Sequence, residues 1–295
     1  MCGIVGLYAK RDTISERLGT LLAEMLVQMG DRGPDSAGVA LYRGAGQGKK
    51  LSARVADDAQ RAALVETARE QIGCSAQVLG AHVLLTGEVG PQTVAWLAQH
   101  CPQADVMSVG ERIEIYKEAM HPDDFVSRYD LGAVRGSHAL GHTRMATESA
   151  VTTQGSHPFS TGQDLCLVHN GSLSNHNRLR AQLERAGLQF KTENDSEVAA
   201  GYLAHRLSEG DSLADALSAA LEDLDGFYTF AIGTREGFAV LRDPIACKPA
   251  VLAETDDWVA MASEYRAIAR LPGATEARVW EPEPGQIYTW EREAA

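Results

Sequence analysis

Residues 3–8, Gly3-Ile4-Val5-Gly6-Leu7-Tyr8, are almost unbroken in apolar character, the pattern of a strand buried on both faces. Residues 15–29 instead space their apolar positions at helical intervals, with Ser15 placed as N-cap. Gly30-Asp31-Arg32-Gly33-Pro34-Asp35-Ser36 is a dense turn signal, and Val39-Ala40-Leu41-Tyr42 is a strand. The run Gly44 to Lys50 is glycine-rich, but it lacks the spacing and the Lys-Ser/Thr ending of a phosphate loop. It reads as a hairpin turn.

Residues 54–130 differ in character. The pattern predicts a helix at about 56–71, a strand at 77–86, a helix at 91–100, strands at 104–109 and 112–117, and a short helix at 122–129. This reads as an α/β insertion with no reactive constellation of its own, suited to docking or regulation. From 131 onward, Leu165–His169 reads as a buried strand. Residues 175–187, 195–208 and 211–223 read as helices, the last capped by Asp211. Segments 228–233, 238–242, 250–252 and 258–262 read as four successive strands. Short strands with flanking helices predict sheets covered by helices.

Composition narrows the classes. At 295 residues and 44% hydrophobic, the chain can bury a sizeable core. A net charge of −13 disfavours nucleic acid or an anionic membrane as the main partner. No apolar run reaches the ~18–20 residues that span a bilayer, and no signal-peptide pattern is present, so a cytoplasmic location is expected. Cys2, Cys74, Cys101, Cys166 and Cys247 are odd in number, scattered and without a CxxC pair. That disfavours a disulfide framework and a zinc site. His138 and His142 are four apart, as are Asp31 and Asp35, but neither pair has a third ligand at sensible spacing. No metal is expected.

Cys2 follows Met1, which is readily trimmed when the next side chain is small. Cys2 would then carry both a thiol and a free α-amine. A thiol titrates near ~8.5 and an α-amine near ~7.7–8.0, so the amine can accept the thiol proton. Four further segments carry chemistry. In Gly141-His142-Thr143-Arg144-Met145-Ala146-Thr147, an arginine among small and hydroxyl residues suits a carboxylate or a surface ion pair. His169-Asn170-Gly171 ends a buried strand; it can be a turn, or it can aim an amide and a backbone N–H at an oxyanion. Asp195-Ser196-Glu197 opens a helix, where acids suit the dipole or could hold an ammonium. His157-Pro158 fixes a histidine in a loop.

Taken together, these pieces resemble the class II glutamine amidotransferases, the N-terminal-nucleophile glutaminase domains. The matching residues are Cys2 to Gly6, Arg32 to Ser36, Gly141 to Thr147, His157-Pro158, His169 to Gly171 and Asp195 to Glu197, with weaker matches at Arg242-Asp243-Pro244, Lys248-Pro249 and Ala262-Ser263-Glu264. They span nearly the whole chain outside 54–130. The match looks closest to the glutaminase units of glutamate synthase and N-methylglutamate synthase, and 141–175 is also similar to glucosamine-6-phosphate synthase. One departure is Ala246, where the family usually has glycine, which puts the local turn in question.

The resemblance implies an α+β fold, the four-layer αββα sandwich of N-terminal-nucleophile hydrolases, over 1–295 with the insertion at 54–130 inside it. It implies that Cys2 attacks the side-chain amide of L-glutamine. Asn170 and Gly171 would receive the oxyanion. Arg144, supported by Thr147, would pair with the α-carboxylate, and Asp195 would hold the α-ammonium. His157 would line the pocket, and Arg32 would brace the loop near Cys2. No cofactor is implied in this chain. Partners would be FMN-containing synthase subunits, with an iron–sulfur cluster among them, in a hetero-oligomer that receives the ammonia. A glutamine-sensing regulatory subunit without catalysis, and another N-terminal-nucleophile amidohydrolase, are the alternatives. An apolar acyl substrate would not need Arg144 and Asp195.

Overall fold

The strand after Cys2, Gly3–Ala9, lies in the middle of a seven-stranded antiparallel sheet. It pairs with Trp258–Ala262 on one side and His138–Arg144 on the other. Beyond His138–Arg144 come Ser36–Tyr42 and Ile113–Glu118; beyond Trp258–Ala262 come Val251–Glu254 and Arg278–Trp280. The computed structural model describes residues 2–44, 48–146 and 151–291. Met1 and Thr147, both singled out above, and part of the glycine-rich turn lie outside them.

A second, five-stranded sheet has the order Ile287–Glu291, Gly237–Arg242, Gly226–Gly233, Leu165–Leu173, Phe159–Gly162. Successive strand residues point to opposite faces, and this places each layer. Ile4 and Tyr8 face the second sheet and join Leu140, Val168, Ala231, Phe238 and Val240 in the core between the sheets. Val5, Leu7 and Ala9 face the other way, onto the helices Leu18–Val27 and Pro122–Tyr129. Because both faces of Gly3–Ala9 are covered, its sequence shows no alternation of apolar and polar residues. The outer face of the five-stranded sheet packs on His176–Arg185, Asp195–Ser208 and Leu213–Asp223. The architecture is α+β, with helices outside two stacked sheets.

Several local expectations give way to tertiary contacts. The helix read over 15–29 is two pieces, Asp12–Ser15 and Leu18–Val27, and Ser15 does not cap the second. Its entry is set instead by close packing at Gly19, where an added Cβ would lie 1.8 Å from Leu131 O. Ser212, not Asp211, caps Leu213–Asp223, accepting from Asp215 N at 3.1 Å. The strand read over 77–86 is a hairpin, Ser75–Leu79 and His82–Gly87, turning at Gly80 with φ +58°. The four strands read over 228–262 divide between the two sheets.

A third sheet of four strands holds Lys49–Arg54, Ser75–Leu79, His82–Gly87 and Asp105–Gly110. With the helices Asp58–Thr67 and Pro91–His100 it encloses its own core around Leu51, Leu64, Val83, Leu85 and Leu97. This unit therefore begins before residue 54. It also ends before 130, because Ile113–Glu118 is the edge of the seven-stranded sheet and Pro122–Tyr129 packs on that sheet. Asp164 ties the return to the main sheets: its carboxylate accepts from the backbone N–H groups of Glu111, Arg112 and Ile113 at 2.8, 2.8 and 2.9 Å.

Candidate active site

Cys2 is held by its backbone. Its carbonyl oxygen accepts from Arg32 Nε at 3.0 Å and from Asn170 Nδ2 at 3.4 Å. Arg32 Nη1 also donates to Glu264 Oε1 at 2.6 Å, so a largely buried guanidinium is paired rather than stranded. One residue on, Ile4 N donates to Ser263 Oγ at 2.9 Å and Ser263 N donates to Ile4 O at 3.0 Å. The turn that carries Arg32 and the Ser263-Glu264 pair thus fix the same short stretch from opposite ends of the chain.

Arg144 ends the strand beside Gly3–Ala9. The Gly33-Pro34-Asp35 turn wraps this end. Asp35 N donates to Arg144 O at 3.0 Å, and Asp35 Oδ2 accepts from Ala146 N at 2.7 Å. Gly33 is required by contact: a Cβ there would stand 2.4 Å from the carbonyl carbon of Thr143.

Asn170 and Gly171 lie in the strand Leu165–Leu173, opposite Thr229 and Tyr228. Gly171 has φ +153°, and a Cβ would fall 2.0 Å from Phe227 O. Only glycine fits. Asp195 is the first residue of its helix, behind an Asn194 cap that accepts from Ser196 N at 2.9 Å. Asp195 Oδ2 accepts from Leu173 N at 2.9 Å. The helix start is therefore anchored to the strand bearing Asn170 and Gly171.

Three buried histidines cluster here, His157 and His169 in the wall of the site and His142 behind it. His157 Nε2 and His169 Nδ1 each lie 2.8 Å from Ser196 Oγ, and Ser196 Oγ donates to Asp195 Oδ1 at 3.3 Å. A serine hydroxyl has one proton. With that proton on Asp195, both histidines donate to Ser196. The His142 ring stacks on His157 at 4.0 Å, and its Nε2 donates to His169 O at 3.0 Å. Burial pushes the His142 pKa down to about 3, against the opposing hydrogen bond to His169 O and with the Arg144 charge adding to the effect. Burial also holds His157 well below the usual range, and lowers His169 against the opposing pull of Asp195. Near neutral pH these shifts favour the neutral imidazole at all three.

Cys2, Arg144, His157, Asn170, Gly171 and Asp195 line one cleft of about 690 Å³. Arg32 lies behind Cys2 rather than in the wall. The cleft offers a thiol, amide and backbone donors, a guanidinium and a carboxylate. Such a set can engage a zwitterion and an amide at once. Sequence reasoning assigned no role to His142, His169, Ser196 or Lys248, although all four sit inside quoted motifs. Each stands beside a residue whose role already accounts for its motif, so the local pattern does not single it out. Ala246 adopts φ +53°, so the turn is kept without its glycine, and its carbonyl accepts from Arg242 Nη2 at 2.7 Å. Among the described residues, no group of three or more His, Cys, Asp or Glu could hold a metal ion, and no helix is long and apolar enough to cross a membrane.

Residues 142–270 match the glutamine amidotransferase domain family. The whole chain is similar to "glutamine amidotransferase-like protein GlxB" of Rhizobium meliloti, 52% identical over 300 aligned positions that cover 100% of both chains. The chain belongs to the class II glutamine amidotransferases. This amidotransferase is also 32% identical to an amidophosphoribosyltransferase of Bacillus subtilis over 188 residues, 62% of this chain and 38% of that one. The glutamine phosphoribosylpyrophosphate amidotransferase structure from B. subtilis, complexed with ADP and GMP, superimposes with a TM-score of 0.64 at 21% identity. It covers 98% of this amidotransferase and 47% of that chain, and the likeness is one of fold. The matched family segment contains Arg144, His157, Asn170, Gly171 and Asp195, while Cys2 lies ahead of it.

Proposed function

We propose that this amidotransferase hydrolyses L-glutamine to glutamate and ammonia through a γ-glutamyl thioester on Cys2, and passes the ammonia to a synthase partner. The observation that carries the reading is the single cleft shared by Cys2, Asn170, Gly171, Arg144 and Asp195. Removal of Met1 frees the Cys2 amine. The amine takes the thiol proton, and the sulfur attacks the amide carbon of glutamine. The oxyanion is received by Asn170 Nδ2–H, turned from the Cys2 carbonyl, and by Gly171 N–H; one such donor is worth about 3 kcal/mol. The protonated amine then gives its proton to the departing nitrogen as the C–N bond breaks, releasing ammonia. Water cleaves the thioester, returning the thiol and releasing glutamate. Arg144 pairs with the α-carboxylate and Asp195 with the α-ammonium. His157 shapes the wall between them. Thr147 supports Arg144 in this scheme.

Ammonia becomes ammonium in water, so a shielded hand-over to an acceptor favours a coupled synthase. The sequence resemblance supports an FMN-containing synthase of the glutamate synthase or N-methylglutamate synthase kind, in a hetero-oligomer in the cytoplasm, with an iron–sulfur cluster among the partner subunits. The insertion and the acidic surface are the docking regions.

The test is labelling by an electrophilic glutamine analogue, read by mass spectrometry of the intact, Met1-trimmed chain. Modification of Cys2 and glutaminase turnover that Cys2→Ala abolishes are expected. A trimmed chain that binds glutamine but takes no label at Cys2 would be a sensor instead. Copurification with a flavin-bearing subunit, and higher turnover in its presence, would establish the partner.

A further inference from the structure

Lys117 lies in the edge strand Ile113–Glu118, beneath the segment that carries His157. Its side chain is buried, and its Nζ donates to three backbone carbonyls: Gln154 O at 3.3 Å, Ser156 O at 2.6 Å and Pro158 O at 3.2 Å. An ammonium has three protons, and all three are used. The acceptors alternate along the segment, so the cation ties every second carbonyl from 154 to 158.

The carbonyls between them are also placed. Gly155 O accepts from Asn194 Nδ2 at 3.3 Å. His157 O sits over Gly38, where an added Cβ would be 2.1 Å away. Gly38 is the register partner of Lys117, and the same added Cβ would lie 2.6 Å from Lys117 Cβ. Neighbours of Lys117 complete the seat. Glu118 Oε2 accepts from Thr153 Oγ1 at 3.0 Å, and Asp105 Oδ1 from Gln154 Nε2 at 2.9 Å.

The tied segment supplies Thr152, Gln154, Gly155 and His157 to the wall of the cleft, which Lys117 itself does not line. On its other side Lys117 borders a second cavity of about 550 Å³, between the four-stranded sheet and the sandwich. The Phe159 ring there lies 4.4 Å from Nζ. Lys117 can therefore reach a ligand in the cleft only through backbone.

We propose that Lys117 is a positioning residue for glutamine binding, its ammonium clasping the 154–158 wall in the shape that receives the substrate. This rests on glutamine occupying the cleft, as proposed above. Burying an ammonium carries a substantial desolvation cost, which offsets much of what its three hydrogen bonds contribute to stability. Burial lowers the Lys117 pKa to about 7, with Lys191 adding to the effect and Glu197 and Asp105 opposing it. His157 and His82 also lie in its field. A basic group so lowered takes stability away as pH falls from ~10.5. Loss of one proton would leave two donors and a lone pair facing three carbonyls.

The experiment measures glutamine affinity by calorimetry in the Cys2→Ala chain, alone and combined with Lys117→Gln or Lys117→Met, at about pH 6 and pH 9. At the lower pH, Lys117→Met is expected to weaken binding about tenfold, with Lys117→Gln between it and the parent. At the higher pH the parent should fall to the level of Lys117→Gln, which also offers two donors, while Lys117→Met stays weaker. Equal affinities at the lower pH would overturn the clasp alone. Affinity losses that track lost stability at both pH values would overturn it as well, leaving a merely structural lysine. If Lys117→Met fails to fold, Lys117→Gln carries the same comparison. Absence of glutamine binding by Cys2→Ala itself would overturn the reading of the cleft, and the positioning role with it.

Discussion

Asn170 Nδ2 donates to the carbonyl oxygen of Cys2 at 3.4 Å, joining the two sheets at the cleft. Cys2 precedes the central strand of the seven-stranded sheet, and Asn170 lies in the five-stranded sheet. The proposed nucleophile and its proposed oxyanion donor are thus positioned by different layers. Their relation depends on sheet packing more than on local sequence.

Asn170→Ala should lower kcat for glutamine hydrolysis by about 10²–10³, with a smaller effect on KM, as expected for a donor used mainly in the transition state. Steady-state kinetics on the Met1-trimmed chain would check this. A change confined to KM would remove Asn170 from the oxyanion role.

Arg144→Lys and Asp195→Asn should act chiefly on KM. A hydrogen bond to a charged group is worth about 1.5–3 kcal/mol, roughly a ten- to hundredfold loss of glutamine affinity each. Asp195→Asn keeps an acceptor for Leu173 N, which isolates the charge. Calorimetry with glutamine against its des-amino analogue would read the effect; an Asp195→Asn chain with undiminished preference for the α-amine would contradict the assignment.

Acid should destabilise the protein through its buried histidines. His142 titrates at about 3 in the fold, whereas an unfolded histidine titrates near ~6.5. For a lowered basic group, the stability is present above the unfolded value and is lost as pH falls toward the folded one. His157 and His169 shift in the same direction. Denaturant unfolding from about pH 7 to pH 5 should show proton uptake that His142→Gln reduces by about one proton. An unchanged pH slope would argue against a neutral His142.

Ala246→Gly should stabilise the chain. Ala246 sits at φ +53°, a conformation that costs an L-residue about 1–2 kcal/mol, partly offset by the greater unfolded entropy of glycine. A net gain of about 0.5–1 kcal/mol is expected in thermal or urea melts, with little change in turnover. A loss of stability would show that the turn depends on the methyl group.

Much of the site was legible in the chain because its motifs are local. Asn170-Gly171 needs a strand that admits a positive φ. Arg32 to Asp35 needs a tight turn, and Asp195 needs a helix start. Each leaves a mark in neighbouring residue types. Strand and helix positions followed in the same way from apolar spacing. Pattern and structure part where distant contacts rule: the helix entry at Gly19 is set by Leu131, and apolar spacing groups the edge strand 113–118 with the insertion because it does not say which sheet a strand joins.

By itself, then, the sequence determined which side chains could do the chemistry and which short elements carry them, since backbone conformation responds to nearby residues. Tertiary structure alone decided what they meet. It placed Asn170 on Cys2, put Ser196 between two histidines, and set Lys117 under a loop about forty residues away, on carbonyls up to 41 positions distant. Those contacts follow from sheet order and layer packing, which arise from the burial of the whole core and leave no short-range trace in the chain.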